Sequence, residues 1–374
     1  MKIAILTLPF HVNYGGVLQA YALQTVLQRM GHEVVVIDKD SYYHRPWWRQ
    51  QVALAAYMIR KYLLRQDVEY VNLRRLDREK KAVENNVREF VNRHLNIVVV
   101  KDLQRDFPKD VDAIVVGSDQ VWRKKYFIGS YGCSIDNAFL SFCSNDTVKR
   151  IAYAVSFGTD EWEYTPEETS CCACYLKLFD AVSMREKSGV FLCQEKLHRT
   201  EVVRLPDPTL LLSREDYRFL YSIRKKDVPY MFYYVLDETD KSKQMAASIA
   251  RDRGLEIKRI SGDVDDSCQT LQDRIKAPVE NWLSGVSESA FVYTDSFHAC
   301  VFSILFGKPF LVIGNKSRGM DRIYSLLSTY SLEHHLMGRE YAYDSHSGYE
   351  IPSGISEILK EEKSKAMDYL KVLL

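Results

Sequence analysis

The opening of the chain constrains its fold most. Ile3 to Leu8 is a short run of apolar, strand-favouring residues, and Asn13-Tyr14-Gly15-Gly16 follows as a turn. Val17 to Met30 then places Leu18, Ala22, Val26 and Leu27 on one helical face. Gly31 ends that helix, and Glu33 to Ile37 returns to strand character. A strand–helix–strand opening predicts a parallel sheet with crossover helices, because a tight turn cannot join parallel strands. The pattern recurs at Val111 to Val116, Arg150 to Val155 and Ala181 to Met184. Each of these predicted strands runs into a polar or Gly-rich turn, and ligands of open α/β sheets sit beyond the carboxyl ends of strands.

Leu205-Pro206-Asp207-Pro208-Thr209 interrupts the rhythm. Its two prolines break helix and sheet alike, so a domain junction is expected there. A second series follows, with strands predicted at Tyr230 to Val235, Glu256 to Ile260, Ala290 to Tyr293 and Phe310 to Ile313. Helices are predicted at Lys241 to Arg253, Leu271 to Ser284 and Ser296 to Phe306, with Pro278 kinking or starting the second. The expectation is an α/β protein with two Rossmann-like domains facing across a cleft. Residues 1–205 form the first domain and 206–345 the second. Residues 346–374 form a terminal helix packing back on the first.

Composition excludes some classes. Apolar residues at 46% and charged residues at 27% suit packed cores rather than disorder. A net charge of +1 leaves no electrostatic footprint for nucleic acid. The cysteines show no paired zinc spacing; Cys171, Cys172 and Cys174 form a lone cluster, so no metal is expected. No signal-peptide pattern and no apolar run of about 20 residues is visible, so a cytoplasmic location is expected. One stretch departs from the βα rhythm. His44 to Arg65 mixes Trp47, Trp48, Tyr57 and Tyr62 with Arg45, Arg49, Arg60, Lys61 and Arg65. Such a helix either makes peripheral contact with a membrane or packs on the domain with snorkelling arginines.

Four turns carry chemistry. In Asp295-Ser296-Phe297-His298, Ser296 can cap a helix whose N-terminus favours anions, and His298 can donate a proton or bind an anion. A capping serine with an incidental histidine is the plain alternative. Gly15-Gly16 lets backbone approach a ligand, although neither a dinucleotide fingerprint nor a Walker pattern is present. Gly117-Ser118-Asp119-Gln120-Val121-Trp122 gathers a carboxylate, an amide and an indole suited to a sugar, or simply caps a helix. Arg185 can clamp an anion or pair with Glu186, and Lys308, Lys316, Arg318 and Arg322 supply further anion contacts or surface charge.

These segments in this order resemble the polysaccharide pyruvyl transferases. The resemblance begins with Asn13 to Gln24 and Gly117 to Trp122. It continues through Ser183-Met184-Arg185-Glu186-Lys187-Ser188 and Asp207-Pro208-Thr209-Leu210-Leu211-Leu212. Thr294 to Cys300 and Phe306-Gly307-Lys308-Pro309-Phe310 complete it. The resemblance implies a fold similar to GT-B glycosyltransferases, with phosphoenolpyruvate as co-substrate and no cofactor. It implies a bacterial capsule or exopolysaccharide sugar as acceptor, galactose or a lipid-linked oligosaccharide included, and a pyruvate ketal as product. On this reading the donor meets Arg185, Ser296, His298, Lys308, Arg318 and Arg322. The acceptor meets Asn13, Tyr14, Gly15, Gly16, Gln19, Asp119, Gln120 and Trp122. His298 is the acid or phosphate partner and Asp119 the base. Ser296-Phe297 stands where some members carry Arg-Leu, and Ala299-Cys300 where many carry Gly-Thr. The alternatives are a glycosyltransferase using a nucleotide sugar and a non-catalytic sugar-binding member of a capsule-assembly complex.

Overall fold

Seven parallel strands form the first sheet: β1 (Lys2–Leu6), β2 (Glu33–Lys39), β3 (Ile97–Val100), β4 (Ala113–Val116), β5 (Lys149–Val155), β6 (Ala181–Met184) and β7 (Val203–Arg204). Their order is β3-β2-β1-β4-β5-β6-β7. The second sheet holds β8 (Tyr230–Tyr234), β9 (Glu256–Arg259), β10 (Phe291–Thr294), β11 (Phe310–Ile313) and β12 (Leu336–Met337) in the order β12-β11-β10-β8-β9, again parallel. This computed structural model describes residues 1–39, 47–68, 72–222, 228–260, 270–315, 318–338 and 342–374. His44, Arg45 and Lys316 lie outside the described residues, as does the side chain of Trp47 and that of Arg49.

The helices of the first unit are α1 (Tyr14–Arg29), α2 (Trp47–Met58), α3 (Leu73–His94), α4 (Leu103–Asp106), α5 (Lys124–Tyr131), α6 (Pro166–Leu176) and α7 (Lys187–Leu197). Then come α8 (Arg214–Arg218), α9 (Asp240–Asp252), α10 (Leu271–Arg274), α11 (Val279–Glu288), α12 (Phe297–Phe306), α13 (Asp321–Thr329) and α14 (Ile355–Leu373). Two expectations shift. The helix expected over Leu271 to Ser284 is two helices, α10 and α11, with Pro278 as the N-cap of α11; a proline at a helix start gives up no needed N–H. α1 begins at Tyr14 rather than Val17, so both glycines lie in its first turn.

Each sheet has one point where the chain reverses its direction of strand addition, and there the flanking loops part to leave a crevice. In the first sheet it lies between β1 and β4, in the second between β8 and β10. The two crevices face each other. Tyr14 ties them together: it is fully buried, stacks on Trp282 of α11 and donates its hydroxyl to Ala277 O at 2.9 Å. α14 returns to the first sheet's side, where Glu362 pairs with Arg204 and Leu373 O accepts from Lys149 Nζ at 2.7 Å.

Candidate active site

A cavity of about 380 Å³ opens where the crevices meet. Its wall comes from the segments after β1, β4, β8 and β10: Leu8 to Asn13, Asp119 and Gln120, Val235 and Leu236, and Asp295 to His298. Asp295 shapes the second-sheet side. Its carboxylate accepts from Leu236 N at 2.7 Å, Asp237 N at 3.1 Å and Asn315 Nδ2 at 2.8 Å, so it fixes the loop rather than facing a ligand.

Ser296 is the N-cap of α12, its hydroxyl accepting from Ala299 N at 3.5 Å, and His298 occupies the first turn. The helix N-terminus thus turns positive potential toward the cavity. His298 lies against Gly15, where a Cβ would fall inside the imidazole's van der Waals envelope. A Cβ on Gly16 would sit 3.3 Å from Asp119 Oδ2. Consecutive glycines of α1 therefore seat the histidine of one domain and the carboxylate of the other. Asp119 has φ +81°, a conformation that costs a non-glycine residue about 1–3 kcal/mol. Asn13 leaves α1 without a side-chain cap and donates instead to Asp119 Oδ2 at 3.3 Å.

Behind these groups lies a buried charge cluster centred on Asp207. Asp207 Oδ2 accepts from Arg185 at 2.8 Å and Ser118 Oγ at 3.0 Å, and lies 3.4 Å from His298 Nε2. The last contact is an ion-pair distance with off-line geometry rather than a formed hydrogen bond. Oδ1 accepts from Thr209 N at 3.0 Å and Thr209 Oγ1 at 2.7 Å. Burial opposes the charge of Asp207, but His298 and Arg185 outweigh it and hold the carboxyl well below the usual range. Arg185 and Arg322 both approach the ring of Phe297, at 4.5 and 5.4 Å from its centroid. They also converge on Asp119 Oδ1, at 3.7 and 4.0 Å. Burial, with the charge of Arg185 beside it, pushes Arg322 down to about 10.

The expected site residues divide into three groups. Asn13, Gly16, Asp119, Gln120, Ser296, His298, Arg318 and Arg322 line the cavity. Arg318 is engaged bidentately by Asp237 at 2.9 and 2.6 Å. Arg185 stands one layer behind, with Gly15 beneath His298. The rest are not brought to the cavity wall. Trp122 is fully buried and donates to Ala138 O at 3.0 Å, because its indole turns into the core. Gln19 is buried and braces the loop after β1 through Thr7 Oγ1 and Gly16 O, both at 2.9 Å. Tyr14 serves the domain contact. Lys308 donates to Ser289 O at 3.1 Å. It precedes β11 and so lies at the amino edge of a parallel sheet, opposite the cavity.

Sequence reading gave Asp207 no site role, although it opens the Asp207-Pro208-Thr209 segment of the family resemblance. It also missed the cavity residues His11, Tyr126, Tyr234 and Lys276. His11 Nδ1 lies 3.1 Å from Glu84 Oε1. Among the described residues no group of three or more His, Cys, Asp or Glu side chains could hold a metal ion.

Two Rossmann-like sheets opening on a shared crevice define a GT-B architecture. The chain belongs to the polysaccharide pyruvyl transferase family, whose pattern matches residues 13–317. Among solved structures it is similar to UGT89C1 of Arabidopsis thaliana complexed with UDP-L-rhamnose, at 10% identity over 99% of this chain and 97% of that one, TM-score 0.47. It is also similar to UDP-GlcNAc 2-epimerase of Neisseria meningitidis bound to UDP-GlcNAc, at 13% identity over 98% and 100% of the chains, TM-score 0.42. Comparison with curated proteins gave no match.

Proposed function

We propose that the protein transfers pyruvate from phosphoenolpyruvate to two hydroxyls of a sugar, galactose being one candidate, in bacterial capsule or exopolysaccharide synthesis. The observation that carries this reading is one cavity lined by both an anion-favouring wall and a carboxylate. Arg322, His298 and the α12 N-terminus form the wall, and Asp119 adjoins it, 4.0 Å from Arg322. Phosphoenolpyruvate is a compact, highly charged anion that needs such a wall. Protonation of its methylene carbon makes C2 electrophilic. A sugar hydroxyl then adds at C2, phosphate leaves, and a second hydroxyl closes the ketal. His298 serves as acid or phosphate partner, and Asp119 takes the hydroxyl proton. Arg322 takes the donor-facing role, and Arg185 holds Asp119 and Asp207 from behind. The aromatic ring of Tyr126 suits a sugar face. A lipid-linked oligosaccharide is an acceptor of the right chemistry.

The test is direct. Purified protein given phosphoenolpyruvate and a galactoside releases phosphate and yields an acceptor heavier by one pyruvate ketal. Arg322→Met lowers kcat/KM for phosphoenolpyruvate by about 10–100-fold, the worth of a charged hydrogen bond. Lys308→Met stays within about threefold, because that side chain lies at the wrong edge of the sheet. Consumption of a nucleotide sugar with phosphoenolpyruvate untouched would overturn the reading.

A further inference from the structure

None of residues 51–68 is buried, although the segment carries Val52, Leu54, Met58, Ile59, Leu63 and Leu64. It comprises most of α2 and the wider helical turn Ile59–Leu63 that continues it. Trp48, Val52, Ala55 and Ile59 recur at helical spacing and share one face, and Tyr62 follows in the wider turn. Trp48 is 50% exposed, Val52 59%, Ile59 52% and Tyr62 72%. Ala53 and Tyr57, the half-buried positions of this helix, lie on the opposite side. A helix packed on its own domain does the reverse and turns its apolar stripe inward. Such a contiguous apolar face marks an interaction surface.

Charge selects the occupant. From Ser41 to Gln66 the sequence contains Arg45, Arg49, Arg60, Lys61 and Arg65, and neither Asp nor Glu. A second copy docking through the same face would set basic groups against basic groups. A lipid surface bearing anionic headgroups offers an apolar layer to the stripe and negative charge to its flanks. Among the described residues no helix is long and apolar enough to cross a membrane, so the geometry is that of a helix lying on the surface.

We propose that α2 and its continuation dock the protein on an anionic lipid surface, the Trp48–Ile59 stripe and Tyr62 inserting between headgroups that contact Arg60 and Arg65. The segment follows β2, whose Asp38 accepts from Phe10 N of the cavity wall at 3.1 Å. β2 thus ends on the cavity side of its sheet. The inference goes beyond the transferase reading and does not depend on it.

Full-length protein is sedimented with vesicles of phosphatidylcholine alone or mixed with phosphatidylglycerol. It binds the anionic vesicles and is released by high salt. Changing Arg60 and Arg65 together to Gln weakens binding about 25-fold, at about fivefold for each basic residue. Ile59→Ser with Tyr62→Ser weakens it as well, and circular dichroism confirms that both variants stay folded. Equal binding to both vesicle types, no vesicle binding, or unchanged binding by the variants would overturn the proposal. So would a solution dimer that these substitutions dissociate. Pyruvyl transfer to a soluble acceptor is unchanged in both variants, so the two readings fail separately.

Discussion

Replacing Asp207 with Asn probes the buried cluster at its centre. The side chain keeps its shape but loses the charge that faces Arg185 at 2.8 Å and His298 at 3.4 Å. An amide nitrogen at the Oδ2 position also sets a donor against the donor of Arg185. Breaking a buried pair on one side costs about 3–5 kcal/mol, and the absence of solvent at Asp207 places this change at the upper end. That is a large part of an ordinary domain's stability but leaves the variant folded at room temperature. The sign with pH follows from the depressed carboxyl. Ionised Asp207 stabilises the wild type fully above about pH 4, the unfolded value, and the contribution is lost as pH falls through the lower folded value. The gap between wild type and variant in denaturant titrations is therefore complete at pH 7 and narrows only in acid. Because Asp207 also sets its charge 3.4 Å from His298 Nε2, kcat is expected to fall about 100-fold or more. Ser118→Ala is the control: it removes one neutral hydrogen bond of about 1 kcal/mol and leaves kcat within about fivefold. An Asn variant within twofold of wild-type kcat and within about 1 kcal/mol of its stability at pH 7 would refute the reasoning.

Two further outcomes test neighbouring features. Gly15→Ala drives a methyl group into the His298 ring, so kcat falls about 100-fold. Both helices are expected to survive, with only a small change in thermal midpoint. Asp321 is raised to about 6 by burial, reinforced by Asp160 and Glu186. A raised carboxyl costs stability as pH climbs from about 4 through the folded value, so Asp321→Asn stabilises the protein at pH 7 by about 1 kcal/mol after solvent screening. A melting comparison at pH 4.5 and pH 7 reads this, and an equal effect at both would contradict the assignment.

The two-domain α/β fold could be read from strand–helix alternation because parallel strands demand crossovers. The cavity position of Asp119 and of His298 was also readable, since each follows a buried strand at its carboxyl end. Lys308 failed the same rule: it precedes its strand, and counting charges near His298 concealed which edge of the sheet they occupy. The direction of Trp122 was not legible, because one turn after a strand can point a ring either into a core or out to a ligand. Asp207 was hidden in another way. Its partners Ser118 and Arg185 lie 89 and 22 residues away, so its role exists only after the sheet is assembled. The outward stripe of α2 needed the structure, because an amphipathic pattern does not state which side the domain occupies.

On the proposed reading, the seating of His298 on Gly15 and of Asp119 beside Gly16 divides the acid and the base between two bodies. The carboxylate belongs to the first sheet and the imidazole to the second, and the paired glycines are where they come within reach. On the proposed reading, an opened cleft would part this acid from this base. An enol donor held on the imidazole's side would then have no Asp119 beside it to activate a water. Closure of the two sheets, rather than donor binding alone, would bring the two groups to the donor together.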